Sequence, residues 1–448
     1  MLSKRYVMSF ETISMNRKIL NIALPSIVST LTVPLLGLVD LGLSGHLGRT
    51  EDIGAIAVGA TIFNLLYWLF AFLRMGTGGM TSQASGRNDH KALLENLVRP
   101  LTLALLCAGL IVLLQRPIEY LAFWLIGPSA EVAHSVSVYY RILIYGAPAL
   151  LATYCFAGWF LGVQNAHIPM IVSIAQNLIN ILISVWFVTG FGWGVAGIAW
   201  GTLIAQYMAF LMYLTAWIIS SCHLLVHWKD ISILQHSKLM QFLRTNRDLF
   251  LRTLCMVTVQ LGFTATGARL GDDTLAANAI LFQFFTLFSY FMDGFAYAGE
   301  SLGGFYIGAK NLPSLRVLTS NLFRWGWGIT LIATLVYLIC GDYLMHLLTD
   351  DLAVIDVAKR YFAFVLLIPV VSFAAFLYDG LFIGAVATRE MFKVLFYATM
   401  AFICVGVLLF STLGNYALWL AFIVFLLTRS VLQKIYYRRI LSNISKIV

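Results

Sequence analysis

Charge is scarce in this chain. Of its 448 residues, 11% are Asp, Glu, Lys or Arg, while 60% are hydrophobic and the mean hydropathy is +0.86. A soluble domain carries about a quarter charged residues, so this chain has too little charge to cover a water-facing surface. That excludes a cytosolic enzyme, a secreted disulfide scaffold and a disordered chain, and points to a multi-spanning membrane protein. Cysteine is sparse too. Cys107, Cys155, Cys222, Cys255, Cys340 and Cys404 are scattered, mostly inside apolar runs, with no C-x-x-C. They read as small buried apolar residues, not as a disulfide set or a metal site. Catalytic signatures are lacking: there is no H-E-x-x-H and no G-x-S-x-G, and no G-K-[ST] follows Gly76, Gly78 and Gly79. Lys4, Arg5, Arg17 and Lys18 precede a long apolar stretch without an A-x-A-like cleavage site. The first apolar segment is therefore read as a retained span.

What is present is a series of apolar runs of the length that crosses a bilayer, about 20 residues. Twelve are expected, at 19–43, 53–79, 93–115, 137–161, 168–189, 194–219, 249–270, 275–302, 317–340, 361–385, 391–412 and 415–436. The stretch 117–136 is too short to span and is placed at the outer surface. An even number of spans puts both termini on one side. That side gathers most of the basic residues, among them Arg87, Lys91, Lys229, Arg244, Arg252, Lys310, Arg389, Arg429 and Lys434. The other side has Arg49, Arg116, Arg141, Arg269, Lys359 and Arg360, and only Arg74 is assigned a position within a span. By the positive-inside rule both termini are cytoplasmic, in the inner membrane. The net charge of +9 is thus a topology signal and not a nucleic-acid patch.

The two halves repeat. A shift of 222 places Gly158-Trp159-Phe160-Leu161-Gly162 on Gly380-Leu381-Phe382-Ile383-Gly384, Gly45 on Gly267, Gly86 on Gly308 and Gly192 on Gly414. Six spans per half preserve orientation, so the repeat is parallel, as in many secondary transporters. The expected fold is an all-α membrane protein of twelve transmembrane helices in two six-helix lobes related by a parallel pseudo-two-fold repeat. Residues 1–220 form the N-lobe, 221–247 a cytoplasmic linker and 248–448 the C-lobe.

Four acids lie within spans: Asp40, Asp293, Glu300 and Asp379. A charge at bilayer depth costs at least ~2.5–3.5 kcal/mol, so such a residue normally faces a cavity and marks a functional site. At the 222 shift they match Gly262, Ala71, Gly78 and Ala157, so the scaffold does not demand them. A desolvated carboxylate either carries a proton or pairs with a cationic ligand, and both couple a gradient to transport. Glu300 reads equally as a solvated inner helix end. Pro25 and Pro34 bend the span that carries Asp40. Asn177, Asn180 and Ser184 share one helical face, with Thr202 and Gln206 on the next span. They read as a hydrogen-bond network around an acid or as polar glue between helices. The aromatic residues around Asp293, from Phe282 to Tyr297, suit a flat cation, although rings this close run around the helix and mostly meet lipid. His223 and His227, four apart, would aim at one metal on a helix, but no acid or Cys partner is evident.

The run Pro34-Leu35-Leu36-Gly37-Leu38-Val39-Asp40 with Gly45-His46-Leu47-Gly48 resembles the first helix of the multidrug and toxic compound extrusion (MATE) family, most closely its DinF-like branch. Asn246-Arg247-Asp248 through Arg252, Gly267-Ala268-Arg269-Leu270-Gly271, Met292-Asp293-Gly294-Phe295-Ala296-Tyr297-Ala298 with Glu300, and Asp379-Gly380-Leu381-Phe382-Ile383-Gly384-Ala385 extend the likeness over nearly the whole chain. The resemblance implies two lobes around a central cleft and cation-coupled efflux of amphipathic, cationic or aromatic drug-like compounds by a monomer in membrane lipid. It implies that Asp40 couples to H+, with Na+ as the alternative ion, that Pro25 bends helix 1, and that Asn180 and Thr202 partner the acid. Many relatives carry a further Asp where this chain has Ser184, which favours H+ here. Asp379 matches a C-lobe acid, but helix 7 offers only Gln260 beside it. No resident cofactor or metal is implied. A lipid-linked precursor flippase is the rival reading, disfavoured by the lack of in-span cations, and a membrane-embedded enzyme or receptor is a third.

Overall fold

The computed structural model describes residues 14–45, 50–231 and 236–447. Fifteen α-helices and no strands occur among them. In chain order they are α1 (Met15–Gly45), α2 (Thr50–Trp68), α3 (Phe72–Gly86), α4 (His90–Leu113), α5 (Gln115–Ile126), α6 (Ala130–Leu143), α7 (Ala147–Gly162), α8 (His167–Val185), α9 (Gly194–Ser221), α10 (His236–Ala268), α11 (Asp272–Gly308), α12 (Leu312–Leu348), α13 (Leu352–Gly384), α14 (Thr388–Leu413) and α15 (Asn415–Ile447). Among the described residues eleven helical segments, the first starting at Asp52, are long and apolar enough to cross a membrane. α1 covers the first expected span. The fold is all-α and membrane-spanning, in two six-helix repeats.

The chain forms two compact units. One comprises Leu24–Leu239, and the other Met240–Val448 with the start of α1 up to Ala23. In the first, Trp159, Phe156, Phe160 and Tyr213 build a core with Leu94 and Leu97. In the second, Phe263, Phe284, Trp419, Phe422 and Phe425 do so. Phe284, Phe288 and Phe295 are buried within their unit, so much of the span 8 aromatic set packs protein and not lipid. The outward side chains are apolar as well: Leu331, Ile332, Leu335, Leu338 and Ile339 on α12 are all exposed. Water would penalise such a stripe, but hydrocarbon does not.

The 222-residue repeat is written into the backbone. Asn88, Gln164, Lys310 and Val386 all have φ between 54° and 59°. Each ends a helix with the same closure: Asp89 N–H donates to Ala84 O, Asn165 to Phe160 O, Asn311 to Tyr306 O and Ala387 to Phe382 O. This is the left-handed cap that satisfies terminal carbonyls. The next helices begin alike, Asp89 accepting from Ala92 N and Asn311 from Ser314 N at the same offset. The repeated glycines serve close backbone approach. A Cβ on Gly158 would lie 2.3 Å from Arg74 O, and one on Gly380 would lie 1.9 Å from Ala296 O. Gly162 and Gly384 likewise abut Gly78 O and Glu300 O. Gly78 thus sits in helix packing, and it does not shape a phosphate loop.

Two expected spans are not continuous helices. Span 2 breaks between α2 and α3 at 69–71, and span 4 breaks at a 3-10 turn, Ile144–Gly146. Their repeats, α11 and α13, run unbroken. Gly146 leaves room for the Gln206 amide, whose Oε1 would lie 1.8 Å from a Cβ there. The polar stretch at 221–247 is also structured: Cys222–Asp230 is a 3-10 segment and α10 begins at His236. The outer stretch becomes α5, whose Tyr120, Leu121, Trp124 and Leu125 are exposed, while Glu119 is anchored by Ser137 and by Arg141 at 3.4 Å.

Candidate functional site

In the first unit the polar face of α8 meets α1 and α9. Asn180 Nδ2 donates to Thr202 Oγ1 at 2.8 Å, and Thr202 in turn donates to Ile198 O. Asn180 is 1% exposed and Ser184 0%. Asn180 Oδ1, Ser184 Oγ and Gln206 Oε1 are buried without a hydrogen-bond partner among the described residues. Ser184 is there because α9 brings a glycine against it: a Cβ on Gly201 would meet Ser184 Oγ at 2.2 Å. Ser184 is thus a small, uncharged side chain in a tight crossing. Asn177 does another job, donating to Thr32 O at 3.0 Å, and Ser173 Oγ bonds Thr32 Oγ1 at 2.9 Å. These bonds tie α8 to α1 between Pro25 and Pro34, both of which lie inside α1. Asp40 is on the same helix, but its side chain lies outside the described residues.

In the second unit the in-span acids part company. Asp379, on α13, is 6% exposed. Its Oδ2 accepts from Arg252 Nη2 on α10 at 2.5 Å and from Arg429 Nη2 on α15, and its Oδ1 accepts from Gln433 Nε2. Arg252 is 7% exposed and Arg429 1%, with its guanidinium 5.5 Å from the Phe376 ring centroid. The assignment of Arg74 as the lone in-span cation is therefore wrong. Arg252 and Arg429 lie inside helices of the bundle and not in cytoplasmic water, because Asp379 neutralises part of their charge there. A lone Arg amid the apolar run of α15 was the signal for it, and Gln433 one turn on carried none.

Gln260 is exposed, eight residues beyond Arg252 on α10, or about 12 Å of helix rise. The structure does not bring it into the Asp379 cluster. Asp293 on α11 is half-buried and within electrostatic reach of Arg429. Glu300 is 0% exposed. It lies eight residues before the end of α11, where Gly384 packs against its backbone carbonyl, so the solvated-end reading is excluded. His223 and His227 are not on an α-helix. They flank His90, with ring centroids 6.0 and 6.4 Å away. No group of three metal-binding side chains is placed to hold an ion among the described residues.

Comparison with known proteins agrees with this architecture. The MatE family model matches residues 25–186 and 249–409, one copy in each half of the chain. DNA damage-inducible protein F of Escherichia coli (strain K12) is 38% identical over 439 residues, covering 96% of this chain and 94% of its own. The probable multidrug resistance protein NorM of Chromobacterium violaceum is 23% identical, covering 96% and 95%. A crystal structure of MATE in the bent conformation superposes with a TM-score of 0.86 at 18% identity, covering 97% of both chains. An outward-facing multidrug resistance MATE family transporter gives 0.85 at 19%, covering 96% and 97%. With two copies of the family model in register with its own internal repeat, this chain belongs to the MatE family of multi-pass membrane transporters.

Proposed function

We propose that the protein is a proton-coupled antiporter that exports amphipathic, cationic or aromatic compounds by alternating access. It works as a monomer in the inner membrane, with both termini in the cytoplasm. The observation that carries this reading is the Asn180–Thr202 pair beside Asn180 Oδ1 and Ser184 Oγ, which have no hydrogen-bond partner among the described residues. It is a buried polar site with oxygen acceptors and no formal charge of its own. Hard cations bind where several oxygens, charged ones included, replace their water. Neutral oxygens with one in-span acid on α1, Asp40, suit a proton better than Na+. The multidrug names of relatives such as NorM support the substrate class. Releasing the proton would let a cationic ligand bind, and regaining it would expel the ligand, provided the ligand prefers one state.

The test is efflux from reconstituted vesicles with imposed pH and Na+ gradients and a panel of dyes and bile-salt-like compounds. Asp40→Asn abolishes pH-driven efflux and leaves the protein folded. Full efflux by that variant, or dependence on the Na+ gradient alone, overturns the reading. Arg252 and Arg429 supply the buried cations that a flippase for a diphosphate-linked lipid would need, but Asp379 occupies both. Flipping of a labelled lipid would favour that alternative.

A further inference from the structure

Two of the basic residues on the sparsely charged side of the chain, Arg116 and Arg141, come together at one place in the first unit. Both reach towards Glu119, which α5 buries against α6. The contacts are loose: Arg116 Nη1 lies 3.6 Å from one carboxylate oxygen and Arg141 Nε 3.4 Å from the other. A well-formed charge-assisted N–H···O bond is about 2.7–2.9 Å. Ser137 Oγ takes the close position on Glu119 instead. The carboxylate therefore orients two guanidiniums without using up their donors. The Arg116 side chain is 67% exposed and that of Arg141 50%, and neither pairs with a second acid among the described residues. Exposed ion pairs of this kind add little stability by themselves.

The surface beside them is apolar. On α5, Pro117, Tyr120, Leu121, Trp124 and Leu125 fall at i, i+3, i+4, i+7 and i+8 and are all exposed, so they form one stripe. Arg116 lies one turn before Tyr120, at the head of that stripe. Tyr140 Oη fixes the start of α5 on α6 by donating to Gln115 O at 3.0 Å. An amphipathic helix with Trp and Tyr on its open face suits the headgroup layer of a bilayer. We propose that Arg116 and Arg141 bind the phosphate of an anionic phospholipid, whose chains run over Tyr120, Leu121 and Trp124. A guanidinium fork matches phosphate oxygens. Two cations against one carboxylate leave the site net positive, which favours an anionic headgroup over a zwitterionic one. The stripe selects a lipid over a free anion, because only an amphipathic ligand covers both parts. Glu119 is a positioning residue that holds the two cations beside each other.

Lipid binding at equilibrium stands apart from the coupling ion proposed above, and from which face is cytoplasmic, because headgroups line both. Purified full-length protein is delipidated in detergent and titrated with dioleoyl phosphatidylglycerol or dioleoyl phosphatidylcholine, and retained lipid is counted by native mass spectrometry. Phosphatidylglycerol should be retained at a several-fold lower concentration than phosphatidylcholine. Arg116→Gln combined with Arg141→Gln should remove that preference. Arg269→Gln combined with Arg360→Gln, an equal loss of exposed charge in the second unit, should keep it. Trp124→Ser should weaken retention of both lipids several-fold. Should the double variant at Arg116 and Arg141 not fold, Arg116→Gln alone carries the test, since that side chain is mostly exposed. Equal retention of the two lipids, a preference that the Arg116 and Arg141 variants leave unmoved, or complete displacement of the lipid by inorganic phosphate overturns the proposal.

Discussion

Asp379 shows how a residue of the same type as Asp40 is put to a different use by its neighbours. Two arginines and a glutamine close on it, and each hydrogen-bonds the charged form. Removing one partner of a buried ion pair costs about 3–5 kcal/mol, because the other charge stays buried and uncompensated. Asp379→Asn is thus expected to lower the thermal midpoint and the folded yield sharply, whereas Asp40→Asn changes transport and leaves the melt nearly unaltered. A melt of both variants in the same detergent separates the roles, and equal stability of the two would contradict this assignment. A gentler test uses Val386, a β-branched residue at φ 54°. The left-handed region costs an L-residue roughly 1–2 kcal/mol, and asparagine tolerates it best after glycine. Gln164 occupies the equivalent corner of the first repeat, and Asn88 holds the same conformation at another of the four corners. Val386→Asn should therefore raise stability by about 1 kcal/mol, read as a higher melting midpoint.

At the scale of helices, the close crossings of α3 with α7 and of α11 with α13 depend on glycine. The backbones approach until a carbonyl occupies the space of a side chain, and no rotamer change relieves that. Gly380→Ala, with its Cβ 1.9 Å from Ala296 O, should abolish folded, monodisperse protein on size exclusion. Gly406→Ala is the control on the neighbouring α14, where nothing lies within 4 Å, and it should elute as the parent does. The helix breaks obey the same local logic. Gly146 opens room for a buried amide, and the unbroken α13 has Ile368 at the matching place. Hydrophobicity alone does not distinguish a kinked span from a straight one, because both bury the same apolar residues. The breaks in spans 2 and 4 were therefore invisible in the composition of the runs.

For the molecule as a whole, the proposed topology rests on the basic residues, and labelling checks it. In a background with the six cysteines replaced, a cysteine at Ser129, between α5 and α6, should react in intact cells with an impermeant thiol reagent. A cysteine at Lys310, between α11 and α12, should react only after the membrane is opened. The reverse pattern would invert the proposed orientation. The span count, the internal repeat and the family were legible in the chain, because the bilayer imposes length and apolarity on each span and close packing imposes glycine at fixed spacing. The polar face of α8 was legible too, since i, i+3 and i+7 fall together on any helix. The partners of each polar group were not. Asn177 belongs with Thr32, Arg429 belongs with Asp379, and Gln260, a C-lobe candidate, lies two turns beyond Arg252. Those pairings join residues up to 145 positions apart, and only the tertiary packing brings such distant side chains within the few ångströms over which a hydrogen bond or a buried charge acts.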